Sequence, residues 1–244
     1  MIKFFRRIRQ KLLSENRFNK YLLYAIGEIV LVVLGILIAL QINNWNEKRN
    51  NLDLANNYIS NLIEELNIQI ATLDDIYISR FDRKLKGLES AKSYFEEPFA
   101  IKDTLSFLND ISFGAVGSYG IENFNRNVFE SLISTGVISH IEPSLRNKIL
   151  DHYEYARHSA DRSQAQASNY QNAVNGLRPF YIGQEKPMSK TDQIRFINAL
   201  STDEFIKQVN IEISNGLHSM RRALKVKNSA ENLIALISEY LEIH

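Results

Sequence analysis

The chain has no cysteine, which excludes disulfides, thiolate nucleophiles and thiolate metal sites while leaving the redox compartment open. Proline occurs four times and glycine ten times in 244 residues, too seldom for a turn-rich β fold. An all-α chain is therefore expected. A charge surplus is missing as well, since the net charge is +1. That figure hides an asymmetry. Residues 1–20 hold seven basic side chains against one acidic, a net of +6; of 29 basic and 28 acidic residues in all, 22 and 27 remain, a net of −5. The larger part thus lacks the basic excess that nucleic acid would call for, and no nucleic-acid partner is expected.

What the chain does have is one long apolar run, Tyr21 to Ile42, in which Glu28 is the sole formal charge. At about 1.5 Å per helical residue this run can cross a hydrocarbon core of about 30 Å. Its strictly apolar centre, Ile29 to Leu40, is short enough for a buried core helix or a signal-peptide core, and the flanks decide against both. Basic residues crowd the N-terminal side, Tyr21 and Tyr24 stand at that end, and Trp45, the single tryptophan, follows the other as interface anchors do. No clear small-x-small cleavage site follows, so a retained anchor is expected.

Residues 1–13 place Met1, Phe5, Ile8 and Leu12 on one helical face and Lys3, Arg6, Arg7 and Lys11 largely opposite. This is the pattern of a helix lying on anionic lipid, with those four cations at the headgroups. The division that follows is a cytoplasmic basic segment at 1–20, a transmembrane helix at 21–42 and an extracytoplasmic helical domain at 43–244, periplasmic if the membrane is the inner one of a bacterium. An organelle presequence with an anchor is the competing reading of the same pattern.

Within the run, Ala25, Glu28, Val32, Gly35 and Ala39 fall on one stripe, and Gly35 and Ala39 have the small-x-x-x-small spacing of close helix packing. A carboxyl group at Glu28 needs protein, water, a proton or a headgroup partner. It reads equally as an ion-handling or inter-helix group and as a residue drawn to the near headgroups.

Beyond Trp45 the helix is expected to continue as a stalk, with a seam at Ala55, Ile59, Leu62, Leu66, Gln69, Leu73 and Ile76, ending before Pro98. A kink near Asn50 and Asn51 is the main alternative. Further helices are predicted over 102–113, from about Glu122 to Thr135 with Gly136 as its C′ glycine, and from Pro143 through Leu177. Another spans about Thr191 to Leu200. The last is capped by Ser201 and Glu204 and has the seam Phe205, Val209, Ile213, Leu217, Met220, Leu224, Leu233, Ile237 and Tyr240. Gly114–Gly120 and Arg178–Ser189 read as loops. The sum is an antiparallel helical bundle.

Chemistry finds no foothold. No two of His140, His152, His158, His218 and His244 have the spacing of a helical metal site, and each reads as solvated or singly bonded. The carboxylate pairs Glu64-Glu65, Asp74-Asp75 and Glu96-Glu97 point about 100° apart on a helix and read as solvated faces. The glycines between Gly114 and Gly120 have no Lys-Ser/Thr after them, as a P-loop requires. No catalytic residue, cofactor or metal is expected.

Two runs, KYLLYAIGEIVLVVLGILIALQINNWNE from Lys20 and FESLISTGVISHIEPSLRNKILDHY from Phe129, resemble an uncharacterised family of single-span membrane proteins common in flavobacteria, a domain of unknown function. The resemblance implies a bacterial envelope protein and brings no activity or catalytic residue. The expected function is thus a non-enzymatic membrane-anchored helical module that meets a second copy or another membrane protein. The alternatives are a subunit of an ion- or proton-conducting complex using Glu28, and a ligand-sensing periplasmic bundle.

Overall fold

The structure, a computed structural model, describes residues 18–115, 124–161, 168–178 and 188–243. Among these it is helical, with no strand. The helices are α1 (Phe18–Thr72), followed by a π turn (Leu73–Ile78); α2 (Ser79–Glu96); α3 (Thr104–Phe113); α4 (Asn127–Ser134), followed by a 3₁₀ turn (Val137–His140); α5 (Pro143–Asp161); α6 (Asn169–Leu177); α7 (Lys190–Leu200); and α8 (Asp203–Ile243). The chain divides into two compact units, Met1–Leu54 and Ala55–His244.

In the first unit α1 supplies one helix long and apolar enough to cross a membrane, with none of its apolar window buried. Leu23, Ile29, Leu31, Leu37, Ile38 and Ile42 are all exposed. Asn50 and Asn51 are helical, within α1.

The second unit is a helical bundle. Its first core joins the expected α1 seam (Ala55, Ile59, Leu62, Leu66) to Leu132 of α4, Leu145 and Ile149 of α5, and Ala230, Leu233 and Ile237 of α8. The seam then departs from expectation. Ile76 is 39% exposed, and Tyr77 is buried in its place, followed by Phe81, Lys84, Leu88 and Ala91. The π turn accounts for the slip: the Ser79 N–H donates five residues back, to the Asp74 carbonyl, so one extra residue enters the turn and every later side chain moves on by one position. Tyr77 and Phe81 then meet Ala223 and Val226 of α8 in a second core. A third joins Leu88, Leu108, Ile111, Tyr170, Phe196 and Phe205.

Helix ends follow local chemistry. Asp103 caps α3 by accepting from the Ser106 N–H at 3.0 Å, and Glu97 is extended ahead of Pro98. Gly136 takes φ 74°, the left-handed conformation expected of a C′ glycine after α4. Pro143 opens α5, where a Glu142 carboxylate oxygen accepts the Ser144 and Leu145 N–H groups.

Four expectations are corrected. The helix predicted through Leu177 is two helices, because Ser168 is extended (ψ 156°) and caps α6 by accepting from the Gln171 N–H at 3.1 Å. The first turn of α8 is capped by Thr202, whose hydroxyl accepts from the Phe205 N–H, while Ser201 ends α7. The middle of the α8 seam is Glu212, Gly216, Ser219 and Ala223, and Leu217 and Leu224 are exposed. Close approach selects the small residues: a Cβ on Gly216 would lie 3.0 Å from Leu85 Cδ2. The helix predicted from about Glu122 starts later: Phe124, Asn125 and Arg126 are not helical, and α4 begins at Asn127, whose N–H donates to the Asn125 side chain at 3.1 Å. The predicted segment at 1–13 and most of the two loops lie outside the described residues.

Gly87 marks the tightest crossing, where an added Cβ would overlap the carbonyl oxygen of Asp110 in α3. Gly87→Ala is expected to destabilise the bundle by about 3 kcal/mol, read as a lowered midpoint of thermal unfolding. An unchanged midpoint would show that α2 and α3 are not in backbone contact.

Candidate functional site

Ala25, Glu28, Val32, Gly35 and Ala39 share one face of α1 by their spacing of three and four. Val32, Gly35 and Ala39 are exposed, and a Cβ built on Gly35 meets nothing within 4 Å. The face has room for another helix. Trp45 is exposed a turn beyond the apolar run. Tyr21 and Tyr24 lie on α1 with their side chains outside the described residues, as are Lys3, Arg6, Arg7 and Lys11 altogether.

The second unit holds polar groups that sequence reasoning had placed in solvent. Glu65 is buried because donors converge on it: the Tyr153 hydroxyl at 2.6 Å and the Val128 N–H, in the first turn of α4, at 2.8 Å. Burial and the hydrogen bond to Glu65 push the Tyr153 ionisation far up, so the phenol remains a donor. One helical turn on, Gln69 Oε1 lies 2.9 Å from His152 Nε2, and the Ser229 hydroxyl of α8 lies 2.9 Å from His152 Nδ1. His152 is therefore neither solvated nor singly bonded. With the amide oxygen accepting, Nε2 carries the proton and Nδ1 accepts from Ser229. Burial lowers its pKa to about 4.

Farther along, the Lys84 ammonium of α2 donates to a Glu212 carboxylate oxygen of α8, both side chains 1% exposed. Burial lowers the Lys84 pKa, against the opposing pull of Glu212. Near it the Tyr170 hydroxyl donates to the Ile111 carbonyl at 2.7 Å. At the π turn, Lys227 Nζ sits 2.7 Å from both carboxylate oxygens of Asp74.

These groups tie helices together, and their hydrogen bonds are made within the chain. An open groove of about 490 Å³ lies between α5 and α8, with His152 in its floor and Lys148, Lys225 and Asn232 among its walls. Among the described residues no three His, Asp or Glu side chains converge as a metal site.

Residues 28–165, more than half of the chain, match DUF6090, a family of unknown function. The protein belongs to this family. The DUF6090 match begins at Glu28 and takes in the rest of the apolar run, the π turn, and Glu65, Gln69, His152 and Tyr153. It ends before α8, so Ser229, Glu212 and Lys227 are partners supplied from outside the matched stretch. No curated protein and no solved structure matches the chain.

Proposed function

We propose that the protein is a non-enzymatic, single-pass membrane protein of the bacterial envelope that works by assembling with a second copy of itself. The observation that carries this reading is the apolar helix with its open Gly35 face. A band of large apolar side chains exposed over the length of a bilayer core is at home in lipid and a liability in water. In lipid, helices associate by close packing, for which Gly35 and Ala39 supply the approach. The basic excess of residues 1–20 supports a cytoplasmic N-terminus at the bacterial inner membrane, with the helical unit on the periplasmic side.

The mass of the complex extracted intact in mild detergent tests the proposal. A species of two or more copies is expected, and Gly35→Leu with Ala39→Leu should weaken it on the order of tenfold. A monomeric wild-type chain would overturn the reading, and unchanged association in the double variant would remove the α1 stripe from it.

A further inference from the structure

One face of the second unit, along the junction of α2 and α8, carries an apolar strip that no other described residue covers. The two helices run in opposite directions, since Asp74 meets Lys227 and Gly216 lies against Leu85. On the side where Lys227 reaches Asp74, Ile78 and Met220 pack half-buried on one cluster. Leu85 continues the strip on α2, and Ile213, Leu217 and Leu224 continue it on α8 at helical spacing. Leu217 is 47% exposed and Leu224 40%. This is the apolar face left over once the small residues of α8 have turned toward α2.

The strip has an edge of opposite charge on each side. Beyond Ile78 and Leu85 come Asp75, Asp82 and Glu89, exposed and seven residues apart. Lys86 pairs with Asp82 at 2.6 Å and leaves that edge net negative. Beyond Leu217 and Leu224 come Arg221 and Lys225, exposed and making no ion pair among the described residues. By the register of the two helices, Asp75 lies level with Lys225, and Asp82 lies within about one turn of Arg221.

Charge then selects the occupant and its orientation. A second copy laid on this face about a two-fold axis across the helices would set acidic edge on acidic edge. About an axis along the helices, each acidic edge faces the other copy's basic edge, and the two apolar strips meet between them. We infer that this strip is the docking surface for a second copy of the chain, in parallel, with Asp75 and Asp82 of each chain facing Lys225 and Arg221 of the other. The inference rests on the self-association proposed above and names its surface in the helical unit. A strip this narrow falls short of a stable interface between free proteins. For two chains held in one membrane it forms at high local concentration, as the second contact of the pair.

The absence of cysteine makes the test clean. Full-length chains with Asp82→Cys and with Arg221→Cys, under different tags, are co-expressed, extracted in mild detergent and treated with a short thiol crosslinker. The expected product joins the two tags, in excess over either like pair. Independently, Arg221→Glu should raise the dissociation constant on the order of tenfold, and Asp82→Arg/Arg221→Glu should restore it. Helix content by circular dichroism should stay constant, since both positions are exposed. A predominance of Asp82–Asp82 product, or a crosslink to a foreign protein, would overturn the inference. An oligomeric mass without the mixed product would overturn this surface and leave the self-association proposal standing. A monomer would overturn both.

Discussion

Lys84→Met is expected to destabilise the helical bundle by about 3–5 kcal/mol, while Lys84→Met/Glu212→Leu recovers most of that loss. The two side chains are 1% exposed and lie 128 residues apart in sequence, on α2 and α8. Removing the ammonium leaves the Glu212 carboxylate in the core without its cationic donor, and a buried carboxylate then stays charged at high cost or takes up a proton. Removing both groups takes away the desolvation cost along with the attraction, so the double variant sits near the wild type. In a unit of this size the single change corresponds to a fall in unfolding midpoint of roughly 10 °C. The pair also keeps α8 in register on α2, which places Lys227 at Asp74 and Gly216 at Leu85. If Lys84→Met cost under about 1 kcal/mol, the ion pair would not be the link between these helices.

Local signals in the sequence carried much of the fold. Pro98 ends α2, Gly136 adopts positive φ, Pro143 opens α5, and the run from Ala55 to Leu73 is buried as its spacing indicates. Each depends on residues within a few positions of one another, which is the range over which sequence patterns speak. The misses are of another kind. Nothing near Ile76 announces an extra residue in the turn, because the π turn answers to the α8 surface that Tyr77 and Asp74 meet. Leu217 and Leu224 outranked Gly216 and Ala223 by hydrophobicity, whereas the closeness of α2 decided which face went inward. Glu65 and His152 looked solvated because their hydrogen-bond partners, Tyr153 and Val128 for the first and Gln69 and Ser229 for the second, lie between 63 and 88 residues away. A carboxylate inside an otherwise apolar seam, at Glu65 between Leu62 and Leu66, was the one available hint. In the first unit the length and apolarity of the run from Tyr21 to Ile42 are legible without any partner, since both are properties of the run itself.

The acid sensitivity of the bundle should trace largely to His152. Its side chain is 2% exposed, hydrogen-bonded at both ring nitrogens, and held neutral by burial, with a pKa lowered from 6.5 to about 4. In the unfolded chain the same group takes up its proton near the ordinary value. Between pH 6.5 and 4 the unfolded state therefore binds more protons than the folded one, and stability rises with pH. The contribution is complete above 6.5 and is lost as the pH falls toward 4, by about 3 kcal/mol over that interval. Protonation at Nδ1 would also force the Ser229 hydroxyl to turn away, since a cationic ring has no acceptor to offer. The prediction is a denaturation series from pH 7 to 4 on the full chain in detergent, comparing wild type with His152→Gln. The variant should start lower, through lost packing, yet lose less stability on acidification. Other carboxylates titrate in both proteins, so the difference between the two curves isolates the imidazole. Parallel curves would mean that His152 is reached by water and protonated in the folded state, and the contact that joins α1, α5 and α8 through its ring would have to be abandoned.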